Sequence, residues 1–245
     1  MADDVLRHYE ELLAEHYTWM AGVPFDRKVE EQRALLESLH VIPDVDGLAI
    51  DLGSGPGFQS CALAQLGYPR VIAVDTSKIL LDELSGHARG LPIETVQADL
   101  RAFMRQIASA SADAIVCMGD TLTHLERRAD VSALFSDAHR TLAPGGLFVL
   151  GFRDLSVARA GLDRIIPVRA DNDRILTCVL DYEADAVVVT DVLYLRGANG
   201  WSVRKSSYRK LRLAAGDVAE ELSGLGFTVR RYQTLDRMHV IAAER

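Results

Sequence analysis

Short apolar runs alternate with helical stretches in the first two thirds of the chain. The runs typical of single buried strands are residues 48–52, 71–75, 93–96, 114–118 and 147–152. Each run is short, whereas the segments between them have the length and composition of helices. Strands that alternate with helices at this rhythm predict an α/β fold with a doubly wound, mostly parallel sheet.

The pattern changes between about residue 164 and residue 213, where no helix fits between the apolar runs. Four β-rich runs follow one another at residues 164–169, 175–182, 186–195 and 202–212. Turn-like polar segments join them, so we expect an antiparallel β meander inserted after the fifth strand. A helix at 215–225 and two last strands, 227–235 and 238–244, are expected to close the main sheet with an antiparallel edge.

The N-terminal part has apolar residues at helical spacing over residues 4–19, and a second helix is predicted for 27–39. The first of these helices contains the aromatic-rich cluster Tyr9, His16, Tyr17, Trp19 and Met20, in a chain with only 7% aromatic residues. Two interpretations stand: a lid over a binding site, or ordinary packing against the sheet. The expected divisions are therefore a helical lid (1–45), a sheet domain (46–155 and 214–245) and a β insertion (156–213).

Composition sets limits on the partners of the protein. The chain has 245 residues, 49% of them hydrophobic, and a net charge of −8. Such acidity gives no general attraction to nucleic acid or to an anionic membrane. The three cysteines, Cys61, Cys117 and Cys178, are far apart in the sequence and suit buried thiols in a reducing compartment. With an acidic, amphipathic N-terminus and no run of about twenty apolar residues, we expect a soluble, cytoplasmic protein.

A glycine-rich loop follows the first predicted strand and organises the candidate chemistry. It reads Asp-Leu-Gly-Ser-Gly-Pro-Gly over residues 51–57, and a helix is expected directly after it. Glycine at Gly53, Gly55 and Gly57 lets the backbone turn sharply and approach a ligand, and the helix start offers amide donors. Dinucleotide folds typically need the wider G-x-G-x-x-G spacing. The pattern predicts a strand–loop–helix cradle for a small molecule.

Other candidate residues follow the later strands, whose carboxyl ends should meet at one edge of the sheet. Asp75 ends the second strand, where a carboxylate can accept hydrogen bonds from both hydroxyls of a ribose. This position suits NAD as well as other nucleoside cofactors. Residues 119–124 and Arg153 follow the fourth and fifth strands, so we expect the reaction to take place beside them.

Together, the loop, Asp75, Asp99 and the turn at residues 142–146 resemble a class I S-adenosylmethionine-dependent methyltransferase. More narrowly, residues 115–125 are similar to a segment of the glycine N-methyltransferase branch, and the insertion fits that branch as well. The resemblance implies a Rossmann-like domain, S-adenosylmethionine as the cofactor and a small-molecule acceptor. It places the acceptor between residues 119–124, Arg153, the insertion and the lid.

The resemblance also assigns roles to individual residues. Asp51 faces the ammonium of the cofactor, or else it caps the next turn. Asp99 accepts a hydrogen bond from the adenine amino group while Leu100 packs on the ring, and Asp99 can in addition be a helix N-cap. Arg27 stands near the position of a lid arginine that reaches the cofactor carboxylate. The cofactor-binding residues are then Tyr17, Trp19, Arg27, Asp51, Gly53, Ser54, Gly55, Gly57, Asp75, Thr76, Asp99, Leu100 and Met118.

The sequence departs from the glycine enzymes at Asp120, where their pattern has asparagine. A carboxylate beside the transferred methyl favours a cationic or hydroxyl-bearing acceptor, and Arg153 could bind an anionic end of it by bidentate pairing. Alternatively, Asp120 caps a turn and Arg153 pairs with Asp154 or faces solvent. His124 is either a catalytic base or a buried histidine bonded to the backbone. No metal-ligand spacing falls at the strand ends, so no metal site is expected.

From these residues we expect in-line transfer of a methyl group to an amine or a hydroxyl. Alignment of the cofactor and the acceptor matters most for this reaction. A general base is optional for amines. The competing classes are a nucleotide-dependent oxidoreductase, a nucleic-acid methyltransferase and a cofactor-binding regulator without transferase activity. The glycine spacing and Asp99 disfavour the first, and the net charge disfavours the second. The sequence specifies neither the acceptor nor the oligomeric state.

Overall fold

The computed structural model describes residues 3–235 and 237–245, which form two β-sheets and the helices packed on them. The strands are β1 Leu48–Leu52, β2 Arg70–Asp75, β3 Ile93–Gln97, β4 Ala112–Cys117, β5 Leu142–Phe152, β6 Ile165–Ala170, β7 Arg174–Tyr182, β8 Ala186–Gly197, β9 Gly200–Leu211, β10 Thr228–Leu235 and β11 Met238–Glu244. The helices are α1 Asp3–His8, α2 Tyr17–Met20, α3 Phe25–Ser38, α4 Phe58–Leu66, α5 Lys78–His87, α6 Leu100–Gln106, α7 Arg128–Thr141 and α8 Ala215–Gly224.

The larger sheet has the strand order β10-β11-β5-β4-β1-β2-β3. Neighbouring strands among β1 to β5 are parallel, whereas β11 is antiparallel to both β5 and β10. The predicted mostly parallel sheet with an antiparallel edge is therefore confirmed. The chain order reverses between β1 and β4, and α/β sheets bind ligands at such a switch point, outside the carboxyl ends of the strands.

Apolar residues cover both faces of this sheet, as expected for parallel strands buried on two sides. On one face, Met104, Phe135 and Leu222 pack against the strands from α6, α7 and α8. On the other face, Leu36 of α3 and Leu63 of α4 join a second core. Helices on both faces make the sheet doubly wound.

The inserted segment forms the second, four-stranded sheet, in the order β6-β7-β8-β9. All its neighbouring strands are antiparallel, so the predicted meander is confirmed. One face of it packs on the N-terminal helices, where Val5 contacts a core that includes Leu180 and Val189. The insertion and the N-terminal helices therefore form one layer beside the main sheet.

The first N-terminal helix differs from the single helix that the apolar spacing predicts. A π-helical turn, Tyr9–Leu13, and a 3₁₀ turn, Ala14–His16, separate α1 from α2. Changes of helix type rotate the side chains that follow, which the spacing of apolar residues does not encode. None of the helices in the described ranges is long and apolar enough to cross a membrane.

Candidate active site

The glycine loop adopts left-handed backbone conformations at all three glycines. The φ angles of Gly53, Gly55 and Gly57 are 71°, 54° and 98°. The amide of Gly53 donates to the carbonyl of Val74 at 2.8 Å, and that of Gly55 donates to Oδ2 of Asp75 at 2.9 Å. The loop is therefore fixed to the end of β2 through its backbone.

The three glycines meet different surroundings. A Cβ atom on Gly57 would lie 2.0 Å from Cδ1 of Leu84, and one on Gly53 would lie 2.3 Å from the hydroxyl of Thr121. A Cβ atom on Gly55 would instead meet only the ring of Tyr17, at 3.7 Å. Gly53 and Gly57 thus permit close packing inside the protein, and Gly55 borders open space.

That space is a cavity of about 520 Å³, which we call the loop cavity. Residues of the glycine loop, of α3 and of the end of β4 line it, among them Gly53, Ser54, Gly55, Lys28, Gln32 and Met118. The hydroxyl of Ser54 is buried and has no hydrogen-bond partner in the described ranges. The Lys28 ammonium pairs with Glu31, another lining residue, at 3.2 Å, so this ion pair and an unsatisfied hydroxyl border the cavity beside the glycine loop.

A second cavity of about 430 Å³ lies between the N-terminal helices and the inserted sheet, and we call it the insertion cavity. Its lining includes Tyr9, Leu176, Leu180, Val189, Asp191 and Lys210. Four residues, Tyr17, Met20, Gly119 and Arg153, line both cavities. The two spaces therefore meet at the carboxyl ends of β4 and β5.

Asp120 is held at this boundary by two cationic side chains. Its Oδ1 accepts from the backbone amide of Arg153 at 2.6 Å, and its Oδ2 binds both the Arg153 guanidinium and the Lys210 ammonium. Burial alone would raise the pKa of Asp120, but Lys210 and Arg153 together hold it well below its ordinary value. The carboxylate is ionised and occupied by these partners. Asp120 and Arg153, both predicted to face the acceptor, are therefore paired with each other in the lining of the insertion cavity.

His124 is buried behind the insertion cavity and is not part of the lining of either cavity. Its Nε2 lies 3.4 Å from the hydroxyl of Tyr9, which does line the insertion cavity. Burial, with the positive charge of Lys210, lowers the pKa of His124 to about 3. The imidazole is therefore neutral near pH 7.

Met118, Gly53, Ser54, Gly55 and Tyr17, all predicted to bind cofactor, lie at the loop cavity. The other predicted cofactor residues lie outside its lining. Asp51 is buried and accepts a 2.6 Å hydrogen bond from Ser60, and burial raises the pKa of Asp51 to about 7.

The acidic residues at the ends of β2 and β3 hold their own loops in place. Asp75 accepts from the amides of Gly55 and Ser77, and the carbonyl of Thr76 accepts from Gln97. Asp99 is the N-cap of α6, with Oδ1 accepting from the Arg101 amide at 2.8 Å. Leu100 is buried in the core of the main sheet.

Two predicted lid residues lie away from the loop cavity. Arg27 is exposed on α3 and pairs with Glu30 at 2.7 Å. The indole of Trp19 donates to Asp171 at 2.6 Å and lies under the guanidinium of Arg174. Trp19 thus fastens α2 to the inserted sheet rather than lining the cofactor side.

Sequence reasoning missed three polar residues that line the insertion cavity and one buried histidine beside them. Lys210 and Tyr208 lie two residues apart on one face of β9, and both are buried. Asp191 of β8 binds the buried His8 of α1, with 3.0 Å between Oδ2 and Nε2. The alternation along β9 was the available signal for Lys210, but only strand pairing brings it to Asp120.

The comparisons with known proteins agree with this geometry. Residues 49–146 match the family described as a methyltransferase domain. A glycine/sarcosine N-methyltransferase of Halorhodospira halochloris is 32% identical over 106 residues, 43% of this chain and 39% of that protein. The chain thus matches about two fifths of the length of that relative.

Solved structures of methyltransferases share the fold over nearly the whole chain. The CcbJ methyltransferase of Streptomyces caelestis has a TM-score of 0.76 and 20% identity, covering 96% of this chain and 97% of that chain. CalS10 of Micromonospora echinaspora, an amino pentose methyltransferase with S-adenosylmethionine bound, has a TM-score of 0.73 and 16% identity, covering 94% and 95%. The resemblance is confirmed at the level of the matched domain and the fold: residues 49–146 match a methyltransferase domain, and the chain shares its fold with solved S-adenosylmethionine-dependent methyltransferases.

Proposed function

We propose that this protein transfers a methyl group from S-adenosylmethionine to a small-molecule acceptor, most favourably an amine. The observation that carries the proposal is the junction of the two cavities at Tyr17, Gly119 and Arg153. A cofactor beside the glycine loop and an acceptor beside the inserted sheet would meet there. Nitrogen is favoured because the relative is named for glycine and sarcosine, and a solved neighbour for an amino pentose.

The loop cavity fits the methionine part of this cofactor. The ion pair of Lys28 with Glu31 offers an ammonium for the cofactor carboxylate and a carboxylate for the cofactor ammonium. The orphaned hydroxyl of Ser54 can also accept from an ammonium, and Gly55 leaves room for close approach. Asp75 and Asp99 follow the strands next to the loop and would hold the ribose and adenine. Once bound, S-adenosylmethionine supplies an electrophilic methyl on sulfur, so the protein mainly has to align the acceptor.

The residues at the junction suit alignment better than proton removal. Burial raises the pKa of Tyr17 to about 12, so its phenol stays protonated and can donate a hydrogen bond. A Cβ atom on Gly119 would lie 3.3 Å from that hydroxyl, which places the hydroxyl over the end of β4. Asp120 is paired and His124 is shielded by Tyr9. An amine that arrives deprotonated needs no base, so we propose positioning by Tyr17 and Arg153.

These positions assign a different role to each of three parts of the chain. Residues 1–45 would cover the site, residues 46–155 and 214–245 would hold the cofactor, and residues 156–213 would hold the acceptor. The oxidoreductase and regulator alternatives find no support among the matching proteins.

Two measurements test the function. Calorimetry with S-adenosylmethionine and with NAD should show binding of the first only. A panel of primary amines and phenols should then yield S-adenosylhomocysteine with the amines, and Tyr17→Phe should lower kcat at least tenfold. Arg33→Gln, a change at a half-buried arginine of α3 that lines neither cavity, is the control and should act like the unaltered protein. Binding of NAD alone, or cofactor binding without turnover of any acceptor, would contradict the proposal.

A further inference from the structure

Asp191 is a carboxylate in the insertion cavity that the transfer reaction does not use. We propose that Asp191, supported by His8, anchors the far end of the acceptor and selects amines that carry a second amine or a hydroxyl there. This inference rests on the proposed function. The inference goes beyond the proposed function because it concerns the end of the acceptor that is not methylated.

The surroundings of Asp191 indicate a binding role. It is 5% exposed, and its neighbours along the same face of β8 are the apolar Val189 and Leu193. The imidazole of His8 hydrogen-bonds to the carboxylate, and Cys178 is the residue directly opposite on β7. An ionised carboxylate can accept about four hydrogen bonds, and burying one without full pairing is costly. Asp191 therefore has acceptor sites left to offer to the cavity that it lines.

His8 supports this carboxylate from behind. It is fully buried, and its Nδ1 has no hydrogen-bond partner among the described residues. Its ring packs against that of Tyr208, with 4.2 Å between the centroids and an interplanar angle of 35°. This packing and the bond to Asp191 hold the imidazole in one orientation, which in turn orients the carboxylate.

Strand register separates Asp191 from the site of transfer. Val187 of β8 pairs with Lys210, whose ammonium reaches Asp120 at the junction. Asp191 lies four residues further along the same face of β8, which is about 13 Å at the usual rise of a strand. Between them lie the apolar Val189 and its β7 partner Leu180. An acceptor that spans the cavity thus needs an apolar body between its reacting amine and its distal donor.

The size of the cavity agrees with such an acceptor. A volume of about 430 Å³ lies in the range of about 300–1,000 Å³ found for sites of drug-sized ligands. Glycine would leave most of this space empty. The named substrate of the relative is therefore a poor guide to the acceptor of this protein.

A matched series of straight-chain amines tests the anchor. The probes are octylamine, 8-amino-1-octanol, 1,8-diaminooctane and 8-aminooctanoic acid, which differ only in the distal group. With the unaltered protein and S-adenosylmethionine, kcat/KM for the diamine and the amino alcohol should exceed that for octylamine at least tenfold. The amino acid should be the poorest. In Asp191→Asn, the ratio between diamine and octylamine should fall close to one.

Asp181→Asn is the matched control, because Asp181 is exposed on β7 and pairs with Arg164. It should keep the preference for the diamine. Equal rates with octylamine and the diamine would overturn the inference. A preference for the amino acid would overturn it as well, because it would indicate that the exposed Arg159 and Arg237 bind the distal group instead of Asp191. If no amine is methylated, the proposed function fails. Calorimetry of the diamine with the unaltered protein and with Asp191→Asn then still decides whether the anchor exists, and equal affinities would overturn it.

Discussion

The ammonium of Lys210 lies 2.9 Å from Oδ2 of Asp120, and the two residues are ninety positions apart in the sequence. Both side chains are buried, with 9% and 1% of the residue surface exposed. Their contact joins the last strand of the insertion to the end of β4. One ion pair therefore links the proposed acceptor-binding layer to the proposed cofactor-binding sheet.

Asp120→Asn should destabilise the protein by about 3 kcal/mol, because it leaves the buried Lys210 without a countercharge. The unpaired ammonium costs more than the pair contributes, so the double variant Asp120→Asn/Lys210→Met should recover at least half of the loss. The free energy of unfolding from urea titration measures both. The exposed Asp181→Asn provides the reference and should cost less than about 1 kcal/mol. An Asp120→Asn protein as stable as the unaltered one would show that water hydrates the Lys210 ammonium, so that no unpaired buried charge remains.

Two glycine substitutions should separate folding from cofactor binding. Gly57→Ala places a Cβ atom against Leu84 at a φ of 98° and should destabilise the protein by about 3 kcal/mol. Gly55→Ala meets nothing closer than 3.7 Å and carries only the left-handed backbone cost, about 1–2 kcal/mol.

Gly55 borders the loop cavity, so Gly55→Ala should nonetheless weaken S-adenosylmethionine binding at least tenfold. Urea titration and calorimetry on the same two variants give the comparison. Equal effects of both variants on cofactor affinity would show that the loop acts as a unit and that Gly55 has no special access to the ligand.

Sequence patterns were sufficient for the central strands of the main sheet, which are buried on both faces, and for β8 of the inserted sheet, where buried positions alternate with more exposed ones. β1 and β4 are short apolar runs, and in β8 the residues Val187, Val189 and Leu193 alternate with more exposed ones. The glycine loop could be located for a similar reason, since left-handed turns restrict the residue type.

The pairing of Asp120 could not be predicted, because it depends on register between distant strands. Alternation along β9 places Lys210 on the same face as Tyr208, but its contact with Asp120, ninety residues away, has no signal in the sequence. His8 was missed for a related reason. The π-helical turn that follows it changes which residues of the N-terminal helix face the insertion.

Asp51→Asn should change how stability depends on pH. Burial raises the pKa of Asp51 to about 7, so the folded protein keeps this proton while the unfolded chain loses it near pH 4. The stability that the group contributes is complete below about pH 4 and is lost as pH rises to about 7. The difference in free energy of unfolding between the variant and the unaltered protein should therefore rise by more than about 1 kcal/mol in favour of the variant from pH 5 to pH 8. Asp82→Asn, an exposed change on α5, should show no such gain in urea titrations. A constant difference across this range would contradict burial of an acidic proton at Asp51.

His124→Gln should show the opposite dependence on pH. The folded pKa of His124 is lowered to about 3 by burial and by Lys210, whereas the unfolded histidine titrates near pH 6.5. The unfolded chain therefore binds the extra proton, and the stability present above pH 6.5 is lost as pH falls. The glutamine cannot take up this proton in either state. The free energy of unfolding of the variant, relative to that of the unaltered protein, should therefore increase by more than about 1 kcal/mol when the pH falls from 7 to 5. Any constant loss from the broken contact with Tyr9 cancels in that comparison. His40→Asn, at an exposed turn, is the control and should follow the unaltered protein. A His124→Gln protein that follows it as well would contradict the lowered pKa of His124 in the folded protein.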